Sequence, residues 1–264
     1  MKFNFALLKL VYKSFLFGFP RIVYNPLNMN IFHAPYNVLP YSTYINYELN
    51  KNEVNYINNF ILDKNGGLDL ERIKITENEN EKYYLSVNIY NCSSPLFELL
   101  GRNKITRCEI NTYVKNENNE KGTLITDYTS NMLSMDPVNI FKESCDTRFE
   151  TIDNGIFCST KCDSLELKFN YTINDSDEKF CMDKDLHDFT DIIFYKNGVY
   201  DKLYYDKTLI NGITQIPKYN DIYFRFGSII LTSPVSVFYF RDEINFSGGM
   251  WDNIFDKKFN HKRK

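Results

Sequence analysis

Six cysteines, three histidines and one dense acidic run are the places where residue type and spacing first suggest chemistry in this sequence. Cys145, Cys158, Cys162 and Cys181 follow the pattern C-x12-C-x3-C-x18-C. Zinc takes four ligands in a tetrahedron, and loops usually supply them as closely spaced pairs. Only Cys158 and Cys162 form such a hook, so a zinc site would need a split second pair. Disulfides and plain thiols are the other readings of these four residues and of Cys92 and Cys108. His33, His187 and His261 leave little material for a Ser-His-Asp or Cys-His mechanism, and no G-x-S-x-G elbow occurs. Asp183, Asp185, His187, Asp188 and Asp191 offer oxygen ligands to a cation. That run lacks the glycine and the closing glutamate of a calcium loop, so a solvated turn is expected there. No metal and no cofactor is assigned.

Composition narrows the function classes further. The chain has 264 residues and a net charge of −3, which argues against a dedicated nucleic-acid binder with its basic footprint. Hydrophobic residues are 43% and charged residues 25%, values of a globular chain. No uncharged apolar run is long enough for an ordinary membrane span. The 32 Asn, and the 23 Lys against 8 Arg, fit an AT-rich genome. The same bias accounts for four sequons, at Asn91, Asn170, Asn174 and Asn245, which therefore carry no message about secretion. Charge and cysteine usage favour an intracellular, cytoplasmic setting.

The elements that would position any site are mostly strands. Residues 41–48, 83–90, 107–115, 122–128, 165–173, 192–196 and 222–231 are β-branched and aromatic, often alternating. Asn118 to Gly122 reads as a hairpin loop. Pro234 separates 228–232 from 235–240, which predicts a strand pair or a bulge. Asn50 with Glu53 forms a capping box before Val54, Ile57 and Ile61, and Asn65-Gly66-Gly67 closes that helix. A short helix is expected over 136–143, opened by Asp136-Pro137. Residues 1–20 carry Leu7, Leu8, Val11, Phe15 and Leu16 at helical spacing. They predict an apolar helix, packed on its own domain or lying in a membrane interface. Residues 252–264 read as a terminal helix with a basic tail. The expectation is one α+β domain, residues 1–264, built on a large curved antiparallel sheet that is barrel-like. The 43 aromatic rings would fill its interior, which could also hold a small ligand.

Residues 105–143 show a strand bearing Glu109, a polar hairpin with Lys121-Gly122, a strand ending in Asp127-Tyr128, then Phe141-Lys142. This order resembles the acetoacetate decarboxylase superfamily, and strand 41–48, helix 51–61 and strand 83–90 upstream fit its N-terminal half. The resemblance covers roughly residues 20–145. It implies that Lys142 stands where the Schiff-base lysine would be, with Glu109 as proton handler and Tyr128 and Phe141 lining the ligand site. The motif departs from the family pattern, however. Ser134-Met135-Asp136 replaces Gly-Arg-Glu, Phe141 replaces proline, and Glu143 replaces the second lysine.

That last change bears on the chemistry. A lysine attacks a ketone only as the neutral amine, so its pKa must fall from about 10.4 towards neutrality. Desolvation or a neighbouring cation achieves this, whereas a carboxylate in the same position would stabilise the ammonium. The leading expectation is therefore a catalytically degenerate protein that binds a small apolar or keto-containing ligand. Two alternatives stand beside it. One is a Schiff-base lyase, of decarboxylase or aldolase type, using Lys142. The other is an interaction protein that meets a partner or a membrane surface through residues 1–20.

Overall fold

Alternation of apolar and polar residues places one face of each strand inside and the other outside, and it builds most of this molecule. The computed structural model describes residues 36–62, 67–76, 79–93, 101–132, 143–153, 155–174, 179, 192–195, 199–202, 204–205, 213–216, 219 and 222–247. The helices expected over 1–20 and 252–264, most of 136–143, the acidic run and Cys181 lie outside the described residues.

In chain order the strands are β1 (Tyr36–Val38), β2 (Thr43–Glu48), β3 (Leu68–Leu70), β4 (Tyr84–Ser93), β5 (Ile105–Asn116), β6 (Lys121–Ser130), β7 (Asp146–Ile152), β8 (Gly155–Lys161), β9 (Leu165–Thr172), β10 (Ile192–Tyr195), β11 (Val199–Lys202), β12 (Tyr204–Tyr205), β13 (Ile213–Gln215), β14 (Tyr223–Phe226), β15 (Ile229–Leu231), β16 (Ser236–Phe240) and β17 (Ile244–Ser247). Helix α1 (Lys51–Leu62) follows β2. Its capping box is formed as expected. Asn50 Oδ1 accepts the Asn52 and Glu53 N–H groups at 2.9 and 3.1 Å, and Glu53 Oε2 accepts the Asn50 N–H at 2.8 Å. Ile57 then sits fully buried in the main core.

The α+β class holds, but the barrel-like sheet does not. Two separate sheets form, and neither closes on itself among the described strands. The large sheet has twelve strands along the path β11-β10-β6-β5-β4-β1-β17-β12, with β2, β16 and β13 continuing from β4 and β3 on β5. It is also not wholly antiparallel, because β10 runs parallel to β6. The small sheet has the order β15-β14-β9-β8-β7. Strands 165–172 and 223–231, expected in the one large sheet, belong to this second one. Alternation reports that a strand has a buried face but not which sheet owns it. The rings that suggested a wide barrel interior fill the layer between the two sheets instead. Tyr47 stacks on Phe224 at 5.5 Å, and Tyr171 on Tyr239 at 5.8 Å.

Three local features shape the sheets. β1 and β2 lie successively along one edge of β4, interrupted near Tyr41, which adopts φ 72°. β17 and β16 follow the same break on the next strand over. Gly227, at φ 56°, makes the β14–β15 turn, dividing the run read as one strand over 222–231. Past Pro234 the chain changes sheets, so β15 and β16 do not pair with each other.

Polar pins join the layers. The hydroxyls of Thr129, Thr147 and Thr160 form a buried triangle with edges of 2.8, 2.8 and 3.2 Å. Asn91 Nδ2 donates to the Phe149 carbonyl at 3.1 Å, while Asn91 Oδ1 accepts from Thr106. Cys108 and Cys158 are buried thiols in the same layer, and burial pushes the Cys158 thiol up. No helix among the described residues is long and apolar enough to cross a membrane.

Candidate functional site

β5 separates two kinds of surface. Cys108 and Ile110 point into the layer between the sheets. Arg107, Glu109, Asn111 and Tyr113 alternate with them and share the opposite face. Register extends that face across the neighbours. Tyr90, Asn88 and Ser86 of β4 stand opposite Arg107, Glu109 and Asn111, and Tyr84 packs in one cluster with Tyr113. Tyr128 of β6 stands opposite Glu109 on the other side. A bulge in β6 between the partners of Ile110 and Asn111 leaves Thr126 unpaired, with its hydroxyl donated to the Ile110 carbonyl at 2.9 Å. The bulge keeps Tyr128 on the Glu109 face while Asp127 turns the other way, accepting from Ser164 at 3.3 Å.

This face is polar and buried, a combination that costs stability unless the groups are paired. Most are. Ser236, Asn46, Ser86 and Tyr113 form a chain of contacts at 3.0, 2.5 and 2.9 Å, and Ser42 donates to Asn88 Oδ1 at 3.1 Å. Burial pushes the Tyr113 phenol up to about 12, with the Ser86 contact acting in the other direction.

Its centre is a charged cluster. Tyr90 Oη donates to Glu109 Oε1 at 2.7 Å. Arg107 Nε lies 2.7 Å from the same oxygen, off the line of its N–H, as an ion pair whose side chains are only 12% and 11% exposed. The Arg107 guanidinium also covers the Tyr128 ring, 4.3 Å from its centroid. Both donors converge on Oε1. Among the described residues, none donates a hydrogen bond to Oε2.

Two of the four residues expected at the site, Glu109 and Tyr128, are brought together here. Phe141 and Lys142 lie outside the described residues. Lys121-Gly122 does begin β6, and the glycine has a reason beyond the turn. A Cβ there would stand 2.5 Å from the Ile192 carbonyl oxygen and against the Phe194 ring, so β10 could not approach β6. Sequence reasoning missed Arg107, Tyr90 and Asn111. The signal was present in the alternation Arg107-x-Glu109-x-Asn111-x-Tyr113 beside Tyr84-x-Ser86-x-Asn88-x-Tyr90: two adjacent strands with polar residues on the face away from the core.

No family model and no curated protein matches the sequence. Solved structures do. An acetoacetate decarboxylase from Legionella pneumophila is similar over 86% of this chain and 94% of its own, at 9% identity and a TM-score of 0.46. An acetoacetate decarboxylase-like enzyme from Sphingomonas wittichii is similar over 81% of this chain and 90% of its own, at 7% identity and a TM-score of 0.48. The enduracididine biosynthesis enzyme MppR, complexed with pyruvate, is similar over 84% of this chain and 90% of its own, at 9% identity and a TM-score of 0.46. At these values the likeness concerns the path of the chain.

Proposed function

We propose that this protein binds a small keto-containing metabolite against the polar face of β4, β5 and β6, and that its lysine chemistry is degenerate. The observation that carries the reading is the buried cluster of Arg107, Glu109, Tyr90 and Tyr128. A buried ion pair is seldom the cheapest way to stabilise a sheet, because apolar residues of equal volume usually do as well. Its retention beside unsaturated acceptors is better explained by a ligand that uses it. Degeneracy is supported by charge. Arg107 is already compensated by Glu109, so the pair is not the uncompensated cation that depresses the pKa of a lysine. Glu143 in place of the second lysine acts in the same sense.

The lyase reading keeps one observation in its favour, the Glu109 Oε2 that has no donor among the described residues. In that reading the Lys142 amine adds to the ketone carbon and water leaves, giving an imine that borohydride reduces to a stable secondary amine. Glu109 handles the proton. Calorimetry with acetoacetate, pyruvate and acetone, followed by borohydride treatment and peptide mapping, separates the two. Binding without a covalent adduct supports the binding protein, and an adduct on Lys142 transfers the assignment to the lyase. Neither binding nor adduct removes both.

A further inference from the structure

Asn111 is an exception to the pairing on this face. The residue is 5% exposed, and its Oδ1 is buried with no hydrogen-bond partner. Every neighbour along the strand is engaged. Glu109, two residues back, binds Arg107 and Tyr90, and Tyr113, two residues on, meets Ser86. Ser86, directly opposite Asn111, donates its hydroxyl proton to Asn46 Oδ1 and meets the Tyr113 hydroxyl, so it offers no donor to Asn111. A buried amide oxygen left without a donor is costly in the empty protein, on the scale of a lost hydrogen bond. Leucine has nearly the same shape and would fill the position without that cost.

We infer that Asn111 is a specificity-determining residue, and that the ligand of this site carries a hydroxyl group which donates to it. The inference rests on the reading of the polar face as a binding site and adds the class of compound that fits it, a hydroxylated ketone. A hydroxyl suits the carboxamide in either orientation, since it both donates and accepts. Glu109 Oε2 is a second acceptor on the same face. Two residues along a strand set the backbones of Asn111 and Glu109 about 6.6–6.8 Å apart. A compact molecule with one hydroxyl at each end of a carbonyl therefore spans both acceptors, with Arg107 beside it. A ketone lacking the hydroxyl leaves Oδ1 buried and unpaired in the complex as well, so the site discriminates against it.

The test uses the full-length protein and two matched pairs of probes: pyruvate with 3-hydroxypyruvate, and acetone with dihydroxyacetone. Dissociation constants are measured by ligand-observed NMR for the wild type, Asn111→Leu and Asn111→Ala. The hydroxylated member of each pair is expected to bind about tenfold tighter to the wild type. In both variants that advantage shrinks to less than about twofold, while the plain ketone keeps its affinity. Without ligand, Asn111→Leu melts a few degrees above the wild type, because the unpaired oxygen is gone. The alanine variant covers the case in which leucine does not fit. Equal affinities within each pair on the wild type overturn the inference and leave the binding site standing. So do losses of equal size for both members in the variants. If no ketone binds the wild type at all, the reading of the face as a keto-ligand site falls, and the inference falls with it.

Discussion

Glu109→Ala is the perturbation with the largest calculable consequence. It removes the Glu109 carboxylate from beside the buried Arg107 guanidinium, and it takes one acceptor from Tyr90 Oη. The two charged side chains are 12% and 11% exposed, so solvent replaces little of the lost interaction. Removing one member of a buried pair costs about 3–5 kcal/mol. For a chain of this size that lowers the melting temperature by roughly 6–20 °C, at about 2–4 °C for each kcal/mol. The double replacement Arg107→Met with Glu109→Leu removes both charges and is expected to recover most of the loss, because the desolvation of each charge is removed with it. Urea denaturation followed by circular dichroism measures the wild type, the single variant and the double variant. A loss below about 1 kcal/mol for Glu109→Ala would show a solvated surface pair. A double variant no better than the single would show that volume, not charge, holds the face together. Either result refutes the reasoning.

Other consequences follow from particular contacts. Gly122→Ala forces a methyl group against the Ile192 carbonyl and the Phe194 ring, so β10 must move away from β6. The expected loss is about 1–3 kcal/mol, with faster amide exchange over 192–195, and unchanged exchange there would contradict it. Asn50→Ala removes the acceptor of two helix-start N–H groups and is expected to lower stability by about 1 kcal/mol in a urea titration. Alkaline pH gives a fourth check. Burial raises the Tyr113 phenol from its ordinary 10.0 to about 12, and raises those of Tyr47, Tyr84 and Tyr171 as well. The unfolded chain gives up these protons first. Stability is therefore full below about pH 10 and falls as pH rises through the window from 10 to 12. Urea midpoints at pH 8, 9.5 and 11 report this, and a flat series is the contrary result.

Local signals carried much of this fold into the sequence. The capping box of Asn50 and Glu53 defined the start of α1, and alternation with aromatic and β-branched residues marked β2, β4, β5, β6 and β9. The turn chemistry of Asn118 and Asn119 marked the β5–β6 hairpin, where Asn119 adopts φ 58°. What escaped was tertiary. β7 and β8 place Phe149, Ile156 and Cys158 inward, but their outward residues include Asp146, Arg148, Glu150 and Lys161, so the segment did not stand out as strands. The parallel pairing of β10 with β6 depends on contacts far apart in the chain and leaves only Gly122 as a trace. Half of the candidate site was legible, because Glu109 and Tyr128 carry a recognisable order. Arg107 and Asn111 were not, because an arginine or an asparagine on a strand reads as solvent-facing until the strand is known to be buried on both faces.

The most direct measurement follows the side-chain N–H signals of Arg107 and Asn111 in a nitrogen–proton correlation spectrum while pyruvate and 3-hydroxypyruvate are titrated in. The account requires saturable shifts of the Arg107 Nε–H with both compounds and of the Asn111 amide with the hydroxylated one, while the backbone of β7 and β8 stays unmoved. Shifts confined to other parts of the molecule, or no shift at either side chain at saturating ligand, would contradict it.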